Sequence, residues 1–173
     1  MGVSPMLAQH PLAMLGQKEV LMKIVGVHRY GVRTRFQGSQ GLALEAPGKP
    51  VLRVASPPEF RGGIEGVWSP EELLVGALAS CYERTVVAIA EYKGMPLHAV
   101  RVDGTGHVQR KDTHYHFVLF ELDVDLEIDS GCEGEAEDIA ELARQRCLVG
   151  AALDVPIALS VETHAVSAAA VTA

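Results

Sequence analysis

The pattern of apolar and polar residues divides the chain into short strands, a long helix, two long strands, a second helix and a last strand. Residues 19–55 are rich in β-branched and aromatic residues, broken by the turn-forming stretches QGSQG and APGKP, and they predict short strands. Residues 97–110 and 114–128 predict two long strands around the turn KDT. Apolar and acidic residues alternate from Leu122 to Ile128, which indicates one buried and one solvent-exposed sheet face. VPIALSVETHAV predicts the last strand.

The first predicted helix begins with a strong N-terminal signal. Ser69 suits the N-cap, Pro70 suits the first helical position, and Glu72 completes a capping box. The helix is predicted to run to about Lys93 and to end at Gly94, which is followed closely by a proline. Apolar residues lie on several of its faces, as is typical of a buried helix.

The stretch EGEAEDIAELARQRC predicts a second, amphipathic helix, acidic at its start and basic at its end, with Cys147 in its last turn. The resulting order of elements predicts an α+β domain, in which helices are segregated against a mostly antiparallel sheet. We divide the chain into a flexible N-terminal arm at 1–18, a single domain at 19–166 and a C-terminal tail at 167–173.

Composition and charge narrow the classes of function. The chain has 173 residues and is 48% hydrophobic, which is enough for one packed domain. Its formal net charge of -7, without a dense Lys/Arg run, argues against a nucleic-acid partner. No stretch approaches the roughly 20 apolar residues of a membrane span, and the N-terminus fits neither a secretory signal nor a myristoylation site. We therefore expect a cytoplasmic protein with no membrane partner.

Three cysteines, Cys81, Cys132 and Cys147, are candidates for chemistry. Their odd number and wide spacing do not resemble a disulfide framework. Cys81 alone is most simply a core residue, because free cysteine packs as a small hydrophobe. Cys147 lies on a different predicted helix, so the two thiols could meet. A thiolate oxidised by peroxide to sulfenic acid needs a second thiol to form a disulfide, and two unrelated core cysteines are the alternative.

Charged and basic residues offer weaker candidates. Arg61 lies ten residues before Glu71, in a Gly-rich stretch. A guanidinium near Cys81 would favour the thiolate, and a carboxylate would hold that guanidinium in place; a solvent-exposed loop charge is the ordinary alternative. His114 and His116 share one face of a strand and could share a metal. No third ligand is apparent, so we interpret them as surface or interface histidines and predict neither a metal nor a cofactor.

The stretch SPEELLVGALASC carries a resemblance to a known family. It resembles the OsmC/Ohr family of peroxide-reducing proteins, which have an Asn/Ser-Pro-Glu-[Glu/Gln]-Leu opening and a peroxidatic cysteine ten residues after the first glutamate. Glu71 and Cys81 have that spacing. Arg61 matches an arginine that OsmC-type members carry ten residues before this glutamate. Other members take the arginine from an early strand, so Arg33 and Arg35 remain open.

The resemblance extends over roughly residues 20–161, with one departure from the family pattern. The family's resolving cysteine lies in a Cys-Pro-x-Ser-x-x-Leu tract. In CLVGAAL, Cys147 matches, while Leu148 and Gly150 replace the proline and the serine. The resemblance implies an OsmC-like fold with a long central helix, assembled as an intertwined dimer with sites at the interface.

Helix geometry bears on how such a site is assembled. Ten residues of a continuous helix rise about 15 Å, so Glu71 and Cys81 of one chain cannot touch. We expect Cys81 to face Glu71 and Arg61 of a second chain in a homodimer.

The resemblance implies a thiol peroxidase. Cys81 would attack an organic hydroperoxide, its sulfenate would condense with Cys147, and a dithiol reductant would restore both. Arg61 would stabilise the thiolate and polarise the O–O bond, and Glu71 would orient Arg61. The alternative is an OsmC-like stress protein that binds a small apolar ligand or a partner without efficient turnover.

Overall fold

The computed structural model describes residues 27–166. The predicted arm at 1–18 and tail at 167–173 lie outside the described residues. Between these limits the chain forms two three-stranded sheets, two α-helices and two short 3₁₀ turns. This is the α+β architecture that the sequence predicts.

The first sheet consists of β1 (Arg33–Phe36), β2 (Leu42–Glu45) and β3 (Leu52–Val54), antiparallel and in chain order. Every residue of β1 is exposed. The prediction of strand upstream of Arg33 was wrong for 27–32, which form no strand. No neighbouring strand within the described chain offers them a ladder of hydrogen bonds.

The second sheet carries most of the core. It consists of β4 (Leu97–Lys111), β5 (His114–Asp129) and β6 (Ile157–Val166), with β4 antiparallel and β6 parallel to β5. The alternation predicted for β5 is present, because every second residue from Phe120 to Ile128 is buried. The parallel β5–β6 pair requires a crossover connection, and the second helix lies within that connection.

The long helix α1 spans Pro70–Lys93, and both of its predicted caps are confirmed. The Ser69 hydroxyl accepts a hydrogen bond from the Glu72 N–H at 3.1 Å, and the Glu72 carboxylate accepts one from the Ser69 N–H at 2.7 Å. Gly94 ends the helix in the left-handed conformation, with φ 73°, where glycine has no Cβ to clash.

Helix α1 buries only part of its apolar surface within one chain. It packs on β4 and on the second helix, and its buried residues are Leu78, Tyr82, Val86, Ile89 and Ala90. By length and composition alone it is apolar enough to cross a membrane, which corrects the expectation that no stretch approaches this limit. The charged pair Glu83–Arg84 interrupts the apolar run, but the helix as a whole still has the length and mean hydropathy of a membrane span. One face of the helix packs within the chain, and both of its ends are capped.

The second helix, α2, spans Glu133–Arg146 and buries Ala136, Ile139, Ala140 and Ala143. The Tyr82 hydroxyl of α1 donates a hydrogen bond to the Ala140 carbonyl at 3.0 Å, which fixes the two helices against each other. Cys147 is the C-cap of α2 and not part of its last turn, since its ψ of 115° leaves the helical region. The cap places Cys147 at the junction with α1.

Candidate active site

Cys81 lies near the middle of α1, where the helix passes α2. It is half-buried and lines a cavity of about 550 Å³ together with Arg84, Thr85, Ala88, Ile89, Tyr92, Lys93, Leu142 and Arg146. The Thr85 hydroxyl donates a hydrogen bond to the Cys81 carbonyl at 2.7 Å. The Cys81 thiol thus has a solvent-accessible apolar cavity on one side and the protein core on the other.

Cys147 lies beside Cys81 and is 2% exposed. Burial raises the pKa of the Cys147 thiol above its ordinary value. The Gly150 N–H, which donates a hydrogen bond to its sulfur at 3.4 Å, lowers that pKa. The neighbouring Cys81 side chain raises it again. The structure therefore brings the two cysteines together, and both are free thiols.

The two thiols differ in their surroundings. Cys147 is enclosed, and its raised pKa keeps it in the neutral form near neutral pH. Cys81 borders a cavity, and an exposed thiol is the one that a small oxidant can reach. This difference suits an attacking role for Cys81 and a resolving role for Cys147.

Glu71 lies in the first turn of α1, far from Cys81. Because α1 is continuous, the ten residues between them correspond to about 15 Å along its axis. The Glu71 Oε2 atom is buried and has no hydrogen-bond partner among residues 27–166. A buried carboxylate oxygen without a hydrogen-bond donor is energetically costly. We therefore expect the Glu71 oxygen to accept a hydrogen bond from a group outside the described chain.

A second cavity, of about 850 Å³, adjoins Glu71. The Phe60 and Tyr115 rings meet edge-to-face in its wall, with centroids 5.1 Å apart. Trp68 and Phe117 also line it. Its aromatic walls suit an apolar ligand or an apolar partner surface.

The three candidate arginines do not meet the cysteines within one chain. Arg61 is exposed and makes no ion pair or side-chain hydrogen bond in the described part of the chain, so the structure does not join it to Glu71. Arg35 pairs with Glu45 across the first sheet. Arg33 is exposed on β1.

Two arginines that we did not single out from the sequence share the cavity of Cys81. Arg84 lies three residues after Cys81 on α1, and Arg146 immediately precedes Cys147. The helical i, i+3 spacing was the available signal for Arg84. For Arg146, only the packing of α2 on α1 reveals the proximity.

The remaining cysteine and the two predicted histidines lie elsewhere. Cys132 is the N-cap of α2, about 22 Å along that helix from Cys147, so it cannot serve as the resolving thiol. His116 lines the aromatic cavity beside Glu71. Neither His114 nor His116 groups with two further potential metal ligands in residues 27–166.

Comparison with known proteins identifies a family for the chain. The family description OsmC-like protein matches residues 63–162, a range that contains Glu71, Cys81 and Cys147 but not Arg61. The uncharacterized protein YmaD of Bacillus subtilis is 23% identical over 140 residues, which cover 78% of this chain and 93% of that protein.

Solved structures share the fold at low sequence identity. An OsmC-like protein of unknown function from Vibrio cholerae superposes with a TM-score of 0.72 at 14% identity, covering 79% of this chain and all of its own. An organic hydroperoxide resistance protein from Elizabethkingia anophelis gives 0.67 at 17% identity, over 80% of this chain and 98% of that one. The organic hydroperoxide resistance protein OhrB of Bacillus subtilis superposes with a TM-score of 0.62 at 15% identity, over 78% of this chain and 98% of that one.

Proposed function

Because the chain belongs to the OsmC-like family, we propose that it is a thiol-dependent peroxidase that reduces organic hydroperoxides to alcohols. The observation that carries the proposal is the pairing of an accessible thiol, Cys81, with a buried thiol, Cys147, on neighbouring helices. The fold is also shared with two proteins whose names include organic hydroperoxide resistance.

The proposed reaction has two thiol steps. The Cys81 thiolate attacks one peroxide oxygen, so that an S–O bond forms, the O–O bond breaks, and the alcohol leaves after taking up a proton. The Cys147 sulfur then attacks the Cys81 sulfenic acid, which gives a disulfide and water. Two thiols lose two electrons, and the peroxide gains them. A dithiol reductant restores both cysteines by exchange.

We propose that a second chain completes the site, with its Glu71 and Arg61 beside Cys81. Two observations support this arrangement. Much of apolar α1, and all of β1, is not buried within one chain, and Glu71 has a buried oxygen without a donor. A guanidinium held by Glu71 would favour the Cys81 thiolate. Arg33 remains the alternative source, whereas Arg35 is already paired with Glu45.

The direct test is the loss of thiols on mixing with an alkyl hydroperoxide. The reduced protein should lose two thiols for each peroxide consumed and yield one alcohol. Cys132→Ser is the matched control and should behave like the wild type, since Cys132 lies at the far end of α2. Thiols that stay intact at excess peroxide would refute the proposal.

A second candidate function is the binding of a small apolar ligand without turnover. The aromatic cavity around Phe60, Trp68 and Tyr115 favours it. Trp68 is the single tryptophan of the chain, so its fluorescence reports directly on occupancy of this cavity. Saturable quenching by apolar compounds, together with thiols inert to peroxide, would favour this second function.

A further inference from the structure

The outward face of the second sheet carries a row of carboxylates and histidines. Along β5 the buried residues point toward the helices, and the alternate acidic residues point away from them. Strands β4 and β6 add three histidines to this region, His98, His107 and His164. Each lies near a carboxylate, but within residues 27–166 only His164 belongs to a cluster of three potential ligands.

That cluster consists of Asp125, Glu162 and His164. Asp125 on β5 lies directly opposite Glu162 in the parallel β5–β6 register. His164 follows two residues later on the same face of β6, as strand alternation requires. One ligand atom from each residue lies within 4.8 Å of the others. The cluster is partly open to solvent, since Glu162 and His164 are exposed and Asp125 is half-buried.

The environment of His164 differs from that of the other two histidines. His98 Nε2 lies 2.8 Å from Asp129 Oδ1, and His107 Nε2 lies 2.6 Å from Glu121 Oε2, so both are in hydrogen bonds. His164 Nε2 lies 3.5 Å from Asp125 Oδ1, beyond the usual range for an N–H···O hydrogen bond. The His164 nitrogen and the Asp125 oxygen are within ion-pair distance of each other but are not hydrogen-bonded, so both atoms remain available as ligands.

The local charge also favours a cation. Carboxylates directly opposite each other on neighbouring strands repel, and Asp125 and Glu162 are such a pair. Arg101 is a shared counter-charge, because its guanidinium bonds to Asp103 and also forms a long ion pair with Asp125 at 4.0 Å. A divalent ion at the cluster would remove the repulsion between the two carboxylates.

We propose that Asp125, Glu162 and His164 bind a divalent first-row transition metal, with water completing its coordination. One imidazole and two carboxylates are typical ligands for such ions, with bonds of about 2.0–2.2 Å to zinc. The ligand atoms lie within 4.8 Å of one another, and side-chain rotations would bring them to the shorter separations that these bonds require. The ion would join β5 to β6, the two strands between which α2 and Cys147 are inserted. This site is independent of the proposed peroxidase.

The test is a calorimetric titration of the reduced, full-length protein with Co²⁺, accompanied by its absorption spectrum. We expect one ion per chain, without the intense bands of cobalt–thiolate bonds. His164→Ala should weaken the binding about tenfold or more, since even residues that only support a ligand contribute about that much. Glu162→Gln should weaken it in the same direction.

The chain provides matched controls for this test. His98→Ala and His107→Ala remove neighbouring histidines that have their own carboxylate partners, and both should bind Co²⁺ like the wild type. These substitutions are on an exposed face, and circular dichroism verifies that each variant folds. The proposal would be overturned if the wild type did not bind Co²⁺ below about millimolar concentration. It would also be overturned if His164→Ala bound Co²⁺ as tightly as the wild type, or if the bound cobalt showed thiolate coordination.

Discussion

Cys81 and Cys147 contact each other across the α1–α2 junction, although they lie on different helices and far apart in sequence. Cys81 opens onto a cavity, whereas Cys147 is 2% exposed. The Tyr82–Ala140 hydrogen bond fixes the two helices close to this contact. The two thiols are therefore neighbours with unequal access to solvent, as the proposed attacking and resolving roles require.

The first prediction separates the roles of the two cysteines. Cys81→Ser should abolish peroxide consumption, because the attacking sulfur is removed. Cys147→Ser should consume about one equivalent of peroxide and then stop, leaving a sulfenic acid on Cys81 that dimedone traps. Mass spectrometry of the labelled protein measures this outcome. Both variants turning over like the wild type would contradict the proposed chemistry.

The second prediction concerns the pH dependence of stability. Burial raises the pKa of Cys147 in the folded state, while an unfolded thiol titrates near its ordinary value of about 8.5. The folded state therefore holds this proton more tightly. The associated stability is fully present below about pH 8.5 and is lost as pH rises toward the folded-state pKa.

Urea unfolding at about pH 7.5 and pH 9.5 measures this loss, in a range below the ordinary titration of tyrosine near 10. Cys147→Ala should show a smaller fall in the free energy of unfolding between the two pH values than the wild type. Cys132→Ala removes a half-buried cysteine at the other end of α2. Its free energy of unfolding should decrease between the two pH values as much as that of the wild type. If the free energy of unfolding of Cys147→Ala decreases as much as that of the wild type, Cys147 is not the cause of the pH dependence.

Local sequence signals predicted the elements that position the site, and long-range packing determined the rest. Ser69, Glu72 and Gly94 encode both ends of α1 within a few residues, so the helix was predictable. The parallel pairing of β6 with β5 leaves no comparable local pattern. The cavity shared by Cys81 and Arg146 likewise exists only after α2 has packed on α1. Arg61 illustrates that sequence spacing alone does not predict a contact. It lies ten residues before Glu71, but the two side chains do not pair within the described chain.

The third prediction uses the departure from the family pattern at Gly150. A Cβ built at Gly150 would lie 3.4 Å from Ile157 Cδ1 and 3.5 Å from Cys147 Sγ, both ordinary contacts. Gly150→Ser should therefore fold and place a hydroxyl next to the Cys147 sulfur. One hydrogen bond of about 1 kcal/mol to the Cys147 thiolate would speed disulfide formation about fivefold.

The control for this prediction is Gly150→Ala, which adds the Cβ without the hydroxyl. Single-turnover measurements after one equivalent of peroxide give the rate of disulfide formation in each variant. Equal rates for Gly150→Ser and Gly150→Ala would show that the hydroxyl does not act on Cys147.

The fourth prediction is a homodimer that covers α1. Only five of the 24 residues of α1 are buried within one chain, and an apolar helix with this much exposed surface favours association. Sedimentation equilibrium at micromolar concentration should give about twice the mass of one chain, 18.5 kDa. A stable monomer under these conditions would remove the structural basis for a site shared between chains.

The last prediction identifies the cation that activates Cys81. If Arg61 of a second chain lies beside Cys81, Arg61→Met should slow the alkylation of Cys81 at pH 7 and the reaction of Cys81 with peroxide. A guanidinium at a thiol changes the thiolate population about tenfold or more, so a tenfold slower reaction is expected. Glu71→Gln should slow the reaction less, because the arginine would remain without its anchor.

Four further arginine variants make this experiment decisive. Arg35→Met should behave like the wild type, since Arg35 is paired with Glu45, while Arg33→Met tests the other strand arginine. Arg84→Met and Arg146→Met test the two guanidinium groups that line the cavity of Cys81 within its own chain. If Arg61→Met leaves the alkylation rate unchanged and one of these variants lowers it, the activating cation is that residue and not Arg61. If none of the five lowers it, Cys81 has no arginine partner among them, and the alternative of a core-packing cysteine without a chemical role gains support.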